Sequence, residues 1–261
     1  MGMTSWFKQN LALHDHDAPI LQVKDVSLRY EAYPALEDIS FDLESGERIA
    51  VVGPNGAGKS TLFKIIAGVL TPSTGSIKIY GHRPTRHICI AYVPQRSEVD
   101  WDFPVSVFDA VMMGRVGQIG FFKPPLKSDQ TIVMDGLEAV GMQDLAKRQV
   151  GELSGGQQQR MFIARALAQQ AELVLMDEPL TGLDVNSQED ILDILQMLHK
   201  NNVTVMVATH NLDLAASHFD RVMLLNNRLF GFGKPQDVFS ETQLSAAYGG
   251  RSPMQEGHHH G

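Results

Sequence analysis

The run Gly53-Pro54-Asn55-Gly56-Ala57-Gly58-Lys59-Ser60 constrains this chain more than any other feature. It matches G-x-x-x-x-G-K-[ST], in which glycines let the backbone wrap tightly enough for successive N–H groups to face one anion. Arg48 to Val52 ahead of it reads as a short apolar strand, and Lys59 to Val69 behind it reads as a helix. A helix starting there adds the positive end of its dipole to the same cradle. Lys59 is then placed to reach the β- and γ-phosphates of a nucleotide, and Ser60 to hold Mg2+. The competing reading is a plain glycine turn, and the strand before it and the helix after it weigh against that.

The rest of the chain alternates strands with helices. Ile20 to Tyr30 and Ile39 to Leu43 alternate as antiparallel strands do. Leu173 to Met176 and Val203 to Ala208 are continuous apolar runs, as expected of strands buried on both faces of a parallel sheet. Between them Ile191, Ile194, Leu195 and Leu198 fall on one helix face, and Ser187 with Asp190 predicts a capping-box start. This is an α/β doubly wound core, a mainly parallel sheet with helices on both faces and an antiparallel β portion. Residues 96–157 differ, with Phe103-Pro104, Lys123-Pro124-Pro125 and helical patterns, and they predict an inserted helical subdomain. The expected organisation is a polar tail over 1–18, one domain over 19–245 (core 19–95 and 158–245), and a tail over 246–261. His14-Asp15-His16-Asp17 and His258-His259-His260 carry groups that can hold metal, and are read as parts of loose tails. Met112 and Met113 are read as core filling rather than soft-metal ligands.

Composition narrows the function classes. A net charge of -8 without a dense run of Lys or Arg argues against a nucleic-acid partner. No stretch reaches the ~18 apolar residues that span a bilayer. Cys89 is the only cysteine, so no intrachain disulfide forms and a reducing compartment fits. The N-terminal residues lack the pattern of a signal peptide, so the chain reads as cytoplasmic.

Two further motifs name a chemistry. Asp177-Glu178 ends the apolar run from Leu173, at the sheet edge where α/β folds bind ligands. Asp177 suits the Mg2+ shell, and Glu178 suits polarising an attacking water. Leu153-Ser154-Gly155-Gly156-Gln157 is the most specific string present, expected by chance in on the order of one chain in several thousand. With these motifs the sequence resembles the ATP-binding cassette family over residues 20–240, and within it the manganese, zinc or iron importer branch. The branch resemblance rests on Val93 through Val105 and on Val111-Met112-Met113-Gly114-Arg115 with the Gly/Phe-rich 117–122 after it.

The resemblance implies a P-loop NTPase core that hydrolyses ATP with Mg2+. Gln95 becomes the lid glutamine that touches Mg2+ or water, His210 the switch histidine, and Tyr30 (favoured over Tyr33) the ring that stacks on adenine. Gly53, Asn55, Gly56, Gly58, Lys59, Ser60 and Thr61 hold the chain's own nucleotide. Ser154, Gly155, Gly156, Gln157 and Asp184 face that of a second copy, bound head to tail. It further implies separate integral-membrane permease subunits, an extracytoplasmic substrate-binding protein, and a peripheral location on the cytoplasmic membrane face. Thr181-Gly182 departs from the Ser-Ala common before Leu183-Asp184 in the family, which touches only the fine tuning of the dimer contact. The alternative is a cassette ATPase serving a soluble partner, as in iron–sulfur cluster assembly. A small-molecule kinase would lack Leu153 to Gln157, and a purely structural protein would not need Glu178 beside Asp177.

Overall fold

A computed structural model gives the fold, and its described residues are 18–31, 33–82, 89–120 and 123–249. Both histidine-bearing tail segments lie outside them. In chain order the strands are β1 (Leu21–Tyr30), β2 (Tyr33–Leu43), β3 (Arg48–Val52), β4 (Thr74–Ile79), β5 (Ile90–Val93), β6 (Leu173–Asp177), β7 (Thr204–Thr209), β8 (Arg221–Asn226) and β9 (Arg228–Gly233). The helices are α1 (Lys59–Ile66), α2 (Val107–Met112), α3 (Val116–Ile119), α4 (Lys127–Ala139), α5 (Gly155–Ala168), α6 (Val185–Lys200), α7 (Leu212–His218), α8 (Pro235–Val238) and α9 (Glu241–Ala247). Two compact units divide the chain, one spanning Arg86–Val205 and the other built from Asp15–Thr85 and Met206–Gly261.

In the second of these units β1 pairs antiparallel with β2, from Leu21 opposite Leu43 to Tyr30 opposite Tyr33, and also with β4. β3 runs parallel to β8, which pairs antiparallel with β9. Ile49 through Val52 of β3 are fully buried, which is why that strand reads as an unbroken apolar run. Leu62, Phe63, Ile65 and Ile66 put one side of α1 into the core, at roughly 1.5–3 kcal/mol for each large side chain. The helix stops at Ile66 rather than Val69, because Gly68 turns left-handed at φ 73 and Gly68 and Val69 donate back to Ile65 and Lys64.

The other unit joins β5 and β6 in a parallel pair, Ile90 opposite Leu173 through Val93 opposite Met176. Its intervening stretch holds α2 to α5 and short 3-10 turns, with almost no β pairing. Arg115 fastens it from within: its guanidinium meets Asp129 at 3.2 Å and the Ala168 carbonyl at 3.0 Å. Both members of that ion pair are buried. Ile163, Ala164, Leu167 and Ala168 of α5 are buried as expected, but so are Met161, Phe162 and Ala166, so the helix is covered on more than one face. α6 buries Ile191, Ile194, Leu195 and Leu198 on one side. Its start differs from the expected one: Asp184, not Ser187, is the N-cap, since its carboxylate accepts the Ser187 N–H at 3.0 Å. Met112 is half-buried, whereas Met113 departs from the core-filling expectation at 44% exposed.

Candidate active site

The backbone after β3 leaves no room for a side chain at Gly53 or Gly58. A Cβ on Gly53 would lie 1.9 Å from the Leu225 carbonyl oxygen, and one on Gly58 2.5 Å from that of Ala35. Gly56 and Gly58 are left-handed, at φ 80 and φ 93, so the loop turns sharply before handing over to α1. No side chain caps α1 and no carboxylate lies in its first turn, so the amides at its start have no intrahelical acceptor. Lys59 is buried, and its ammonium donates to the carbonyls of Gly53 at 2.8 Å and Pro54 at 3.1 Å. Its charge is thereby held over the loop. Asn55 and Gly56 are exposed, and Ser60 and Thr61 are half-buried in the first turn. In the same unit His210 is exposed at the end of β7, and Asn211 after it caps α7 by accepting the Leu214 N–H. Tyr30 and Tyr33, facing each other across the β1–β2 pairing, are 51% and 80% exposed.

The other unit carries the carboxylates. Asp177 is buried at the end of β6, with the Tyr92 hydroxyl 3.5 Å from its Oδ2. Burial first, and then the Asp177 charge, push the Tyr92 hydroxyl up, so it stays protonated and donates. Glu178 stands at φ 48, a left-handed conformation rare for a residue with a Cβ. Its Oε2 accepts the Thr181 hydroxyl at 3.1 Å. Glu178, Thr181 and Gln95 share an open cavity of about 400 Å³ with Arg96, Ser97 and Trp101.

The Leu153 to Gln157 string forms the entry to α5. Ser154 is the N-cap; its hydroxyl accepts the Gln157 N–H at 3.3 Å, and the Gln157 side chain accepts the Ser154 N–H at 3.0 Å. The Gln157 side chain is therefore engaged in a capping box, and Gly155 and Gly156 supply the first-turn amides that point onward. A Cβ on Gly156 would lie 2.5 Å from the Ser187 hydroxyl, which itself donates to Asp184 at 2.7 Å. A Cβ on Gly155 would lie 2.8 Å from the Arg96 guanidinium, whose Nε donates to Gln158 at 2.6 Å. The Ser154 turn, Asp184 and the residue after Gln95 thus gather in one place.

Gly53 to Thr61, Tyr30 and His210 belong to one unit, and Gln95, Asp177, Glu178, Asp184 and Ser154 to Gln157 belong to the other. Sequence reasoning missed Thr181 and Arg96. A hydroxyl three residues after Glu178 was the available signal for Thr181; Arg96 had none beyond adjacency to Gln95.

The profile of a family described as ABC transporter matches residues 36–181. Among curated proteins the chain is similar to the manganese transport system ATP-binding protein MntB of Halalkalibacterium halodurans, 46% identical over 234 residues, which are 89% of this chain and 93% of that one. It is also similar to the zinc transport system ATP-binding protein TroB of Treponema pallidum, 45% identical over 233 residues, 88% of this chain and 87% of that one. Among solved structures it resembles an ABC transporter in an inward-facing conformation, with TM-score 0.79 and 33% identity over 88% of each chain.

Proposed function

The chain belongs to the ABC transporter family as an ATP-binding, ATP-hydrolysing subunit, and from that premise we propose that it drives uptake of a transition metal ion through separate permease subunits. The observation that supports the reading is that one chain has two helix entries whose first-turn amides lack intrahelical acceptors, the loop before α1 and the Ser154 turn before α5, each suited to an anion. One bound nucleotide occupies the first. The second serves the nucleotide of another copy, so two chains enclose two ATP molecules head to tail. Closure then depends on γ-phosphate contacts and relaxes after hydrolysis. The manganese and zinc systems of the similar proteins favour a transition metal as cargo.

In this reading the amides of Gly53 to Thr61 hold the triphosphate and Tyr30 stacks on the base. Lys59 turns from its two loop carbonyls toward the β- and γ-phosphates. Ser60, Asp177 and Gln95 offer hydroxyl, carboxylate and amide oxygens, a hard donor set that fits Mg2+. Held by these residues, Mg2+ would neutralise charge on the phosphate oxygens. Glu178, oriented by Thr181, accepts the proton of the attacking water, and His210 steadies the γ-phosphate. Asp184 caps α6 beside the Ser154 turn and keeps that turn in shape for the second copy.

Among the described residues no helix is long and apolar enough to cross a membrane. In this reading the pathway belongs to the permease, and the chain docks on it from the cytoplasmic face. Phe103, Met113, Val116, Leu126 and Met134 expose apolar surface in the α2–α4 region. A cavity of about 750 Å³ opens there between Phe108, Met134 and Ala146. These features suit a cytoplasmic helix of the permease. An extracytoplasmic binding protein completes the system.

The test is capture of the Glu178→Gln variant with ATP from detergent-solubilised source membranes. That variant is expected to bind ATP while losing ~10²–10⁴-fold of turnover. A stoichiometric integral-membrane protein is the expected partner. A soluble partner with no membrane protein would overturn the transport reading.

A further inference from the structure

The turn between β8 and β9 holds a residue that none of these roles uses. Asn227 lies there at φ 55 and ties three segments together. Its N–H donates to the Ala57 carbonyl of the phosphate loop at 2.9 Å, and its own carbonyl accepts the Glu37 N–H at 2.7 Å. Its side-chain amide donates to the carbonyls of Pro34 at 2.9 Å and Ala35 at 3.0 Å. An amide nitrogen carries two hydrogens, so each carbonyl receives one. The phosphate loop is thus tied to the start of β2 and to the β8–β9 turn, and the carbonyls of Ala35 in β2 and Leu225 in β8 approach Gly58 and Gly53. β2 opens at Tyr33, which pairs with Tyr30.

We propose that Asn227 is a positioning residue that fixes the exposed ring at Tyr30 relative to the phosphate loop, so that base and triphosphate bind together. The proposal rests on the assignment of Tyr30 as the stacking ring. A ligand with two recognised ends gains from both only when their sites are held at the right spacing; otherwise the gain is lost in ordering the protein on binding. Asn227 supplies that spacing because its N–H holds the loop and its carbonyl takes the Glu37 N–H of β2, while its amide fixes Pro34 and Ala35 at the end of that strand next to Tyr33, which faces Tyr30. Residues with short polar side chains tolerate the left-handed turn, and glycine does so without any side chain.

The experiment measures dissociation constants for ATP and for inorganic tripolyphosphate, with thermal unfolding, in the Glu178→Gln background so that ATP persists. Asn227→Gly keeps the turn and its backbone bonds but removes the amide. It is expected to weaken ATP about tenfold, the effect of losing hydrogen bonds of this kind, and to leave tripolyphosphate binding unchanged, with the unfolding midpoint lowered but still above the assay temperature. Asn227→Asp, which sets a carboxylate against the same two carbonyls, is expected to separate the ligands in the same direction. Equal weakening of both ligands, or unchanged ATP affinity, would overturn the proposal. Tyr30→Ala distinguishes its premise. Normal ATP binding by that variant would overturn the stacking assignment and the proposal with it, whereas a loss confined to ATP upholds the premise and leaves Asn227→Gly to test the positioning.

Discussion

Glu178 combines an unfavourable backbone conformation with a defined side-chain partner. A left-handed residue with a Cβ costs of order 1–3 kcal/mol and persists only where its surroundings over-determine it. Here the Glu178 carbonyl accepts the Thr181 N–H at 3.2 Å and its carboxylate accepts the Thr181 hydroxyl at 3.1 Å. Thr181→Val keeps the shape and deletes the hydroxyl. With one bond to a charged acceptor gone, it is expected to lower kcat about fivefold to tenfold while leaving the KM for ATP unchanged. A raised KM at unchanged kcat would place Thr181 in binding instead. Asp184 offers a pH test. The Ser187 N–H, and then its hydroxyl, hold the Asp184 carboxyl below the usual carboxylate range. A depressed folded pKa adds stability that is fully present above the unfolded value near ~4 and is lost as pH falls through the folded value. The gap in unfolding midpoint between the parent and Asp184→Asn is therefore expected to be widest at neutral pH and to shrink on acidification. A gap that widens in acid would contradict this.

At the scale of elements, the order β3, phosphate loop, α1 was legible because the loop needs glycine where the backbone crowds carbonyls at Gly53 and Gly58. The buried runs of β6 and β7 and the apolar face of α6 were legible for the same reason: full burial leaves an unbroken or periodic pattern. The start of α6 was misread, since Ser187 and Asp190 mimic a capping box while the cap comes from Asp184, at the end of the turn that begins at Glu178. β4, β5 and β9 went unread because they are short or half-exposed and alternate weakly. Asn227 could not be found locally, as its partner Pro34 lies 193 positions away. The Ser154 turn was legible as a string, but not the division of labour within it. The capping box engages the Ser154 and Gln157 side chains, which leaves Gly155 and Gly156 as the first-turn amides without an intrahelical acceptor.

At the scale of the whole molecule, the two cradles of one chain imply two chains. In the proposed reading the Ser154 turn takes an anion, and the chain's own nucleotide takes the loop before α1, whose first-turn amides no side chain caps. A Cβ on Gly156 would lie 2.5 Å from the Ser187 hydroxyl, so the turn packs closely against the start of α6, and the surface proposed to face a second copy needs little ordering on binding. The direct test is the mass in solution of the Glu178→Gln chain, with and without saturating ATP, beside the same chain also carrying Ser154→Arg. The head-to-tail account expects a dimer only with ATP, and a monomer that still binds ATP once Ser154 is arginine. A Glu178→Gln chain that stays monomeric in ATP, or a double variant that dimerises as readily, would contradict it.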